Sequence, residues 1–73
     1  MKIESHDIYL CAFLLVRGCT YKGKRRQERR VWLQFESDVS FAEHREAYFM
    51  GAVGSLYAYA QQVQACKELV MGD

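Results

Sequence analysis

The chain has 73 residues, 51% of them hydrophobic, and its ten Lys and Arg residues against nine Asp and Glu give a formal charge of +1. This length excludes a multidomain protein, the apolar content excludes a disordered tail, and the near-neutral balance excludes a partner selected by overall charge. We therefore expect a single domain over residues 1–73. Because so short a chain is marginal as a monomer and carries no disulfide framework, we also expect a homo-oligomer, most simply a two-fold dimer.

The cysteines and the apolar segments indicate a cytoplasmic, reduced protein. The three cysteines make an odd count, and Cys11 and Cys66 lie in apolar patterns where cysteine behaves as a small hydrophobic residue. No secretory leader is recognisable, which favours the cytoplasm. The longest uncharged run, residues 8–16, is too short for a bilayer, which takes about 20 residues, so we expect no membrane association.

The first elements are a short strand and a core helix. Met1–Glu4 predicts an edge strand with Ile3 facing inward. Residues 8–16 are apolar around most of the helical circumference, so this helix must be covered on several sides. Ser5 or Asp7 can cap its first turn, and Gly18 suits a left-handed exit.

Two alternating runs, residues 19–26 and 30–36, predict a β-hairpin. Val31, Leu33 and Phe35 share one face of the second run, and this face should meet the core. A three-residue loop at 27–29, or an equivalent bulge, keeps lysines off that face. The loop would pair Tyr21 with Phe35, Gly23 with Leu33, Lys22 with Gln34 and Lys24 with Trp32.

Two helices complete the chain. Ser40 and Glu43 form a capping box, which predicts a helix from Phe41 to about Met50. It presents Phe41 and Tyr48 inward, with Ala42 and Phe49 as further candidates. A third helix, from about residue 52 to 70, carries an apolar seam of Val53, Leu56, Ala60, Val63 and Val70, which Lys67 interrupts and Cys66 can continue. The order β-α-β-β-α-α predicts an α+β domain in which a central helix and two C-terminal helices pack on one face of a small antiparallel sheet.

The N-terminal motif resembles that of short bacterial and phage domains of unknown function. Those domains open with Thr/Ser-x-Asp-Leu/Ile-Tyr-Leu-x-Ala-Phe/Tyr-Leu-Leu, which residues 5–15 match here. They continue with a glycine, a hairpin, a helix carrying an aromatic pair and a long amphipathic helix. The resemblance implies this architecture and an origin in a phage, plasmid or gene cassette. It implies no activity, and the strongly basic hairpin departs from it.

The hairpin carries the strongest functional signal. Thr20–Arg30 holds six basic residues against Glu28 alone, a local charge of +5. Such a patch attracts phosphates, and an aromatic residue beside it can stack on a base. We predict a nucleic-acid-binding site formed by Lys22, Lys24, Arg25, Arg26, Arg29, Arg30 and Trp32. The alternative is a solvated tip that meets Glu36, Glu43 or Glu46 of a neighbouring subunit, with Lys24 covering Trp32.

The sequence gives little support for metal binding or catalysis. The cysteine and histidine spacings match no metal-ligand pattern, and His6 and His44 are expected to be exposed. There is no phosphate-binding glycine loop, and the apolar surroundings of Cys11 disfavour a thiolate nucleophile. We expect no catalytic residues, no metal and no cofactor, and hence a protein that is not an enzyme.

The aromatic residues of the last two helices suggest a surface for protein contacts. Tyr57 and Tyr59 lie about 200° apart on a helix, so both cannot face the same core. One of them, with Phe49 or Met50, is expected at a subunit interface, where such residues are enriched. A nucleic-acid-binding accessory protein is therefore the leading hypothesis, and a protein–protein adaptor or homo-oligomeric module is the alternative.

Overall fold

The strands and helices follow the order that the sequence pattern predicts. The computed structural model describes residues 1–51 and 55–72. Its elements are β1 (Lys2–Ser5), α1 (Ile8–Val16), β2 (Thr20–Gln27), β3 (Arg30–Glu36), α2 (Phe41–Phe49) and α3 (Leu56–Met71). The strands form one antiparallel sheet in the order β1-β3-β2. The α+β class and the β-α-β-β-α-α order are confirmed.

Helix α1 is the centre of the fold. The Asp7 side chain accepts hydrogen bonds from the backbone N–H groups of Tyr9 and Leu10, at 3.0 and 3.3 Å, which caps the first turn. Five consecutive residues, 10 to 14, are buried, so the helix is covered on several sides as predicted. Gly18 follows the last turn with φ +94°, a left-handed conformation that glycine adopts without strain.

The core face of the sheet is formed by alternate residues of β1 and β3. Ile3 pairs with Phe35, and both are almost completely buried together with Leu33. Since the neighbouring residues in each strand point the other way, the opposite face of the sheet carries polar side chains. The pairing register of β1 with β3 thus determines which side chains can meet on that outer face.

The hairpin register follows the bulge alternative and not the three-residue loop. Gln27 pairs with Arg30, so the turn contains only Glu28 and Arg29, and the pairing shifts by one residue at Lys22. Tyr21 pairs with Phe35 as predicted, but Lys24 lies opposite Leu33, and Arg25 lies opposite Trp32. The predicted pairs of Lys22 with Gln34, Gly23 with Leu33 and Lys24 with Trp32 are therefore wrong, because Lys22 is the extra residue of the bulge and Gly23 lies opposite Gln34. The expectation that a bulge keeps lysines off the core face is also wrong, since Lys24 shares the side of Leu33.

Helix α3 packs against α1 over a stripe that differs from the predicted seam. Cys66 is completely buried in the core cluster, and Val63 and Val70 pack partly against it. Leu56 and Ala60 are exposed, so their predicted inward placement is wrong. Leu56 belongs to the first turn of the helix, where its side chain remains 76% exposed. Val53 and the predicted helical start at Ala52 lie outside the described residues.

Helix α2 begins where the capping box predicts and then packs in an unexpected way. The Ser40 hydroxyl accepts a hydrogen bond from the Glu43 N–H at 3.3 Å. Phe41 and Tyr48 are half-buried, whereas Ala42 and Phe49 are exposed, which contradicts their candidacy as inward residues. The buried residue of this helix is His44, at 2% exposure, so its predicted exposure is wrong. Among the described helices, none combines the length and apolar character required to cross a bilayer.

Candidate nucleic-acid interface

The register of the hairpin divides the predicted binding residues among three places. Alternation after the bulge puts Arg25 on the outer face of the sheet, with Trp32 opposite it, and puts Lys24 on the helix side. The two-residue turn brings Arg29 and the flanking Arg26 to the tip. The predicted set is therefore contiguous in sequence but not a single surface.

On the outer face, Arg25 is held by an acidic residue of the N-terminal strand. Its Nε and Nη2 atoms donate to the two carboxylate oxygens of Glu4, at 2.6 and 2.7 Å, in a bidentate ion pair that spans the central strand. Gln34 donates to the same carboxylate at 3.0 Å, and Gln27 accepts from the Arg25 Nη1. The hydrogen bond from Arg25 lowers the pKa of Glu4 and raises that of Arg25. The guanidinium of Arg25 is therefore already hydrogen-bonded within its own chain.

Trp32 lies between two side chains that cover it. The Arg25 guanidinium is 5.5 Å from the centroid of the indole, and the His6 ring packs edge-on at 4.6 Å. Arg30 lies 2.8 Å from His6 Nε2. The cation over Trp32 is Arg25 and not the predicted Lys24, since the bulge exchanges their positions. Stacking of a base on this indole would require displacement of one of these neighbours.

On the helix side, Lys24 completes the C-terminal end of α3. Its ammonium group donates to the carbonyl oxygens of Leu69 and Gly72, at 2.6 and 2.5 Å. The last carbonyls of a helix have no partner within the helix and carry partial negative charge, so a lysine is favoured there. Lys24 thus joins the hairpin to α3, and its contribution is to the fold.

The remaining cations point into solvent. Lys22, Arg26 and Arg29 are exposed, and among residues 1–51 and 55–72 none of the three takes part in a side-chain hydrogen bond or ion pair. Arg29 lies in the turn and Arg26 near the end of β2, while Lys22 lies at the bulge, nearer the other end of the hairpin. The tip is therefore a small cationic projection held by a regular two-strand ladder.

A shallow depression crosses the outer face near the bulge. It has a volume of about 530 Å³ and is lined by Lys2, Ile3, Glu4, Lys22, Gln34, Phe35 and Glu36. Two lysines against two glutamates give it no net charge. The depression is therefore not expected to attract anions, in contrast to the hairpin tip.

The predicted interface residues separate into exposed and internal groups. Phe49, Met50 and Tyr57 are each 74% to 80% exposed, as is the neighbouring Leu56. Tyr59 is half-buried, and its hydroxyl donates to the Tyr9 carbonyl at 3.1 Å. Burial, aided by the nearby Tyr48, raises the pKa of Tyr59 to about 12. Of the two tyrosines, Tyr57 is the one available to a partner.

The sequence pattern does not predict the polar cluster around His44. His44 is enclosed by Arg17, whose Nε donates to Nδ1 at 3.0 Å, by Ser37, whose Oγ lies 2.8 Å from Nε2, and by the Cys19 thiol at 3.5 Å. These partners are 7 to 27 residues distant in the chain, so no local pattern indicates them. The capping box does place His44 on α2, but its burial depends on the tertiary fold.

The described residues contain no metal-binding cluster, and two of the three thiols are buried in apolar surroundings. No group of three or more His, Cys, Asp or Glu side chains within residues 1–51 and 55–72 is placed to hold a metal ion. Burial raises the pKa of the Cys11 thiol to about 12 and that of Cys66 to about 11, so both remain protonated at neutral pH. The two thiols act as packing groups.

Comparisons with known protein families, with curated proteins and with solved structures found no match. The resemblance of residues 5–15 to short bacterial and phage domains therefore stays a prediction.

Proposed function

We propose that this chain is a small non-enzymatic binding protein that contacts the phosphate backbone of nucleic acids through the tip of its β2–β3 hairpin. The observation that carries this proposal is the exposure of Arg26 and Arg29, which have no hydrogen-bonded or ion-paired partner among the described residues. Exposed arginine side chains suit the phosphate groups of a polynucleotide, whose counterions are released on contact.

The proposed contact set is smaller than the sequence alone suggests. Lys24 and Arg25 are excluded because their side chains are already bound to α3 and to Glu4. Arg30 and Lys22 are secondary contributors, the first because it lies against His6 and the second because it lies at the bulge. With Trp32 covered, base stacking is not part of the proposal, and binding should depend little on sequence.

The test is the salt dependence of binding to labelled mixed-sequence oligonucleotides, measured by fluorescence anisotropy. The logarithm of affinity should fall linearly with the logarithm of salt concentration, by about 0.9 per phosphate contact on a duplex and about 0.7 on a single strand. Arg29→Gln should reduce the magnitude of this slope by about 1. Lys67→Gln, which removes an exposed charge from α3, is the matched control and should leave the slope unchanged. No binding at low salt would contradict the proposal.

A second function, self-association or binding of a protein partner, has its own observation. Phe49, Met50, Leu56 and Tyr57 expose large apolar side chains near the end of α2 and the start of α3. At roughly 200 Å² per large side chain, they expose on the order of 600 Å². A standard interface buries about 800 Å² per partner, and these four side chains supply most of that area when one partner covers them all. A two-fold dimer is the simplest assembly that would cover it.

We also propose that the protein is located in the cytoplasm. Cys11, Cys19 and Cys66 are all free thiols, and each is buried. Free thiols are the usual state of cysteine in a reducing compartment.

A further inference from the structure

Helix α2 has one buried residue, the polar side chain of His44. Phe41, Ala47 and Tyr48 are half-buried, and Phe41 packs against the hydrophobic core. Tyr48 meets Phe13 edge-on with ring centroids 5.4 Å apart. A helix with so little buried apolar surface depends strongly on the hydrogen bonds of its one enclosed polar side chain.

The hydrogen-bond partners determine where the His44 proton lies. Arg17 can only donate, so Nδ1 must accept its Nε–H and carry no proton. Ser37 donates its hydroxyl hydrogen to the Val39 carbonyl at 2.9 Å, so its oxygen accepts the Nε2–H of His44 at 2.8 Å. The Val39 N–H donates to the same oxygen at 3.0 Å. All of these hydrogen bonds can form together only when the imidazole is neutral and carries its proton on Nε2.

Protonation of His44 conflicts with this arrangement. A second proton on Nδ1 would face the Arg17 guanidinium, which loses its acceptor and meets a like charge. Burial, and then the charge of Arg17, lowers the pKa of His44, while Glu43 on the same helix opposes them. Glu36 and Asp38 line the adjacent pocket of about 330 Å³, and the Cys19 thiol faces Nε2. Neither Glu36 nor Asp38 is among the hydrogen-bond partners found for the imidazole in residues 1–51 and 55–72, and Arg17 is the charged group in direct contact with it.

We propose that His44 makes the docking of α2 dependent on pH, so that the helix is held at neutral pH and released in acid while α1 and the sheet remain folded. The unfolded imidazole binds a proton below about pH 6.5, whereas the docked one resists it. The stabilisation is therefore complete above that pH and is lost as the pH falls through the window beneath it. This inference is independent of the proposed nucleic-acid binding.

The test is amide hydrogen exchange followed by NMR, with protection factors corrected for intrinsic exchange. Between pH 7.5 and pH 5 the protection of α2 should fall several-fold relative to that of β3. His44→Asn is the decisive variant, because the asparagine Oδ1 can accept from Arg17 in place of Nδ1 and does not titrate. In this variant the protection of α2 should be independent of pH, whereas in the control His6→Asn it should follow the wild type.

A second measurement covers the case in which His44→Asn fails to fold. In the wild type, the ¹⁵N signals of His44 should show the Nε2–H tautomer at neutral pH and a titration below the ordinary value of about 6.5. An equal loss of protection in α2 and β3, or titration of His44 at or above that value, would overturn the proposal.

Discussion

At the scale of single residues, the hairpin turn contains a strained position. Glu28 has φ +59°, in the left-handed region that glycine and asparagine occupy readily and other residues at a cost of about 1–2 kcal/mol. We expect Glu28→Asn to raise the free energy of unfolding by roughly 1 kcal/mol in urea denaturation. Glu28→Gln removes the same charge without relieving the backbone and serves as the control. Equal stability of the two variants would show that the conformation is not strained.

Lys24 illustrates how a residue predicted for binding contributes to the fold instead. Its ammonium group bonds two carbonyls at the end of α3, and hydrogen bonds to a charged group stabilise a protein by about 1.5–3 kcal/mol at most sites. Because Lys24 is partly exposed, we expect Lys24→Met to cost about 1 kcal/mol, which corresponds to a fall of about 5 °C in Tm for a domain of this size. This change in Tm can be measured by thermal denaturation, monitored by circular dichroism. An unchanged Tm would contradict the role of Lys24 as a helix cap.

At the scale of elements, the sequence predicts what is encoded locally. Both ends of α1 follow from Asp7 and Gly18, and the start of α2 follows from Ser40, because caps act within a few residues. The bulge was predicted only as an alternative to a longer loop. Its local sign is Gly23, since a glycine inside a strand often marks a bulge, and here it has φ +144°.

The packing of α2 could not be predicted in the same way. The helical pattern points to Phe41 and Tyr48 as the inward residues, whereas burial of His44 requires hydrogen-bond partners from two other parts of the chain, the donor Arg17 and the acceptor Ser37. A polar side chain can be buried only where its hydrogen bonds are satisfied, and only the tertiary fold supplies these partners. The same reason explains the missed pairing of Glu4 with Arg25, which spans the central strand.

At the scale of the whole molecule, the two candidate binding regions lie on different elements. Arg26 and Arg29 are at the hairpin tip, whereas Phe49, Met50, Leu56 and Tyr57 are exposed near the end of α2 and the start of α3. If both surfaces function, a dimer formed through the apolar region would carry two cationic tips. Two linked contacts to one polynucleotide would strengthen binding through effective concentration.

Self-association can be measured by size-exclusion chromatography with light scattering. We expect a dimer at micromolar concentration, and we expect the double variant Met50→Glu with Leu56→Glu to be monomeric because the added carboxylates cannot be buried without partners. Thr20→Glu adds a charge at an exposed position of β2, on a different element from this surface, and should leave the mass unchanged. A wild-type monomer under these conditions would remove the dimer from the account.

The basic residues of the hairpin divide into a structural group, Lys24 and Arg25, and a binding group, Arg26 and Arg29. Measurement of both the salt dependence of oligonucleotide binding and the Tm, on the same two variants, tests this division. Arg26→Gln with Arg29→Gln should lose most of the salt dependence and keep the wild-type Tm, whereas Lys24→Met should lower the Tm and keep the salt dependence. The opposite pattern, or equal effects of the two variants on binding, would contradict the account.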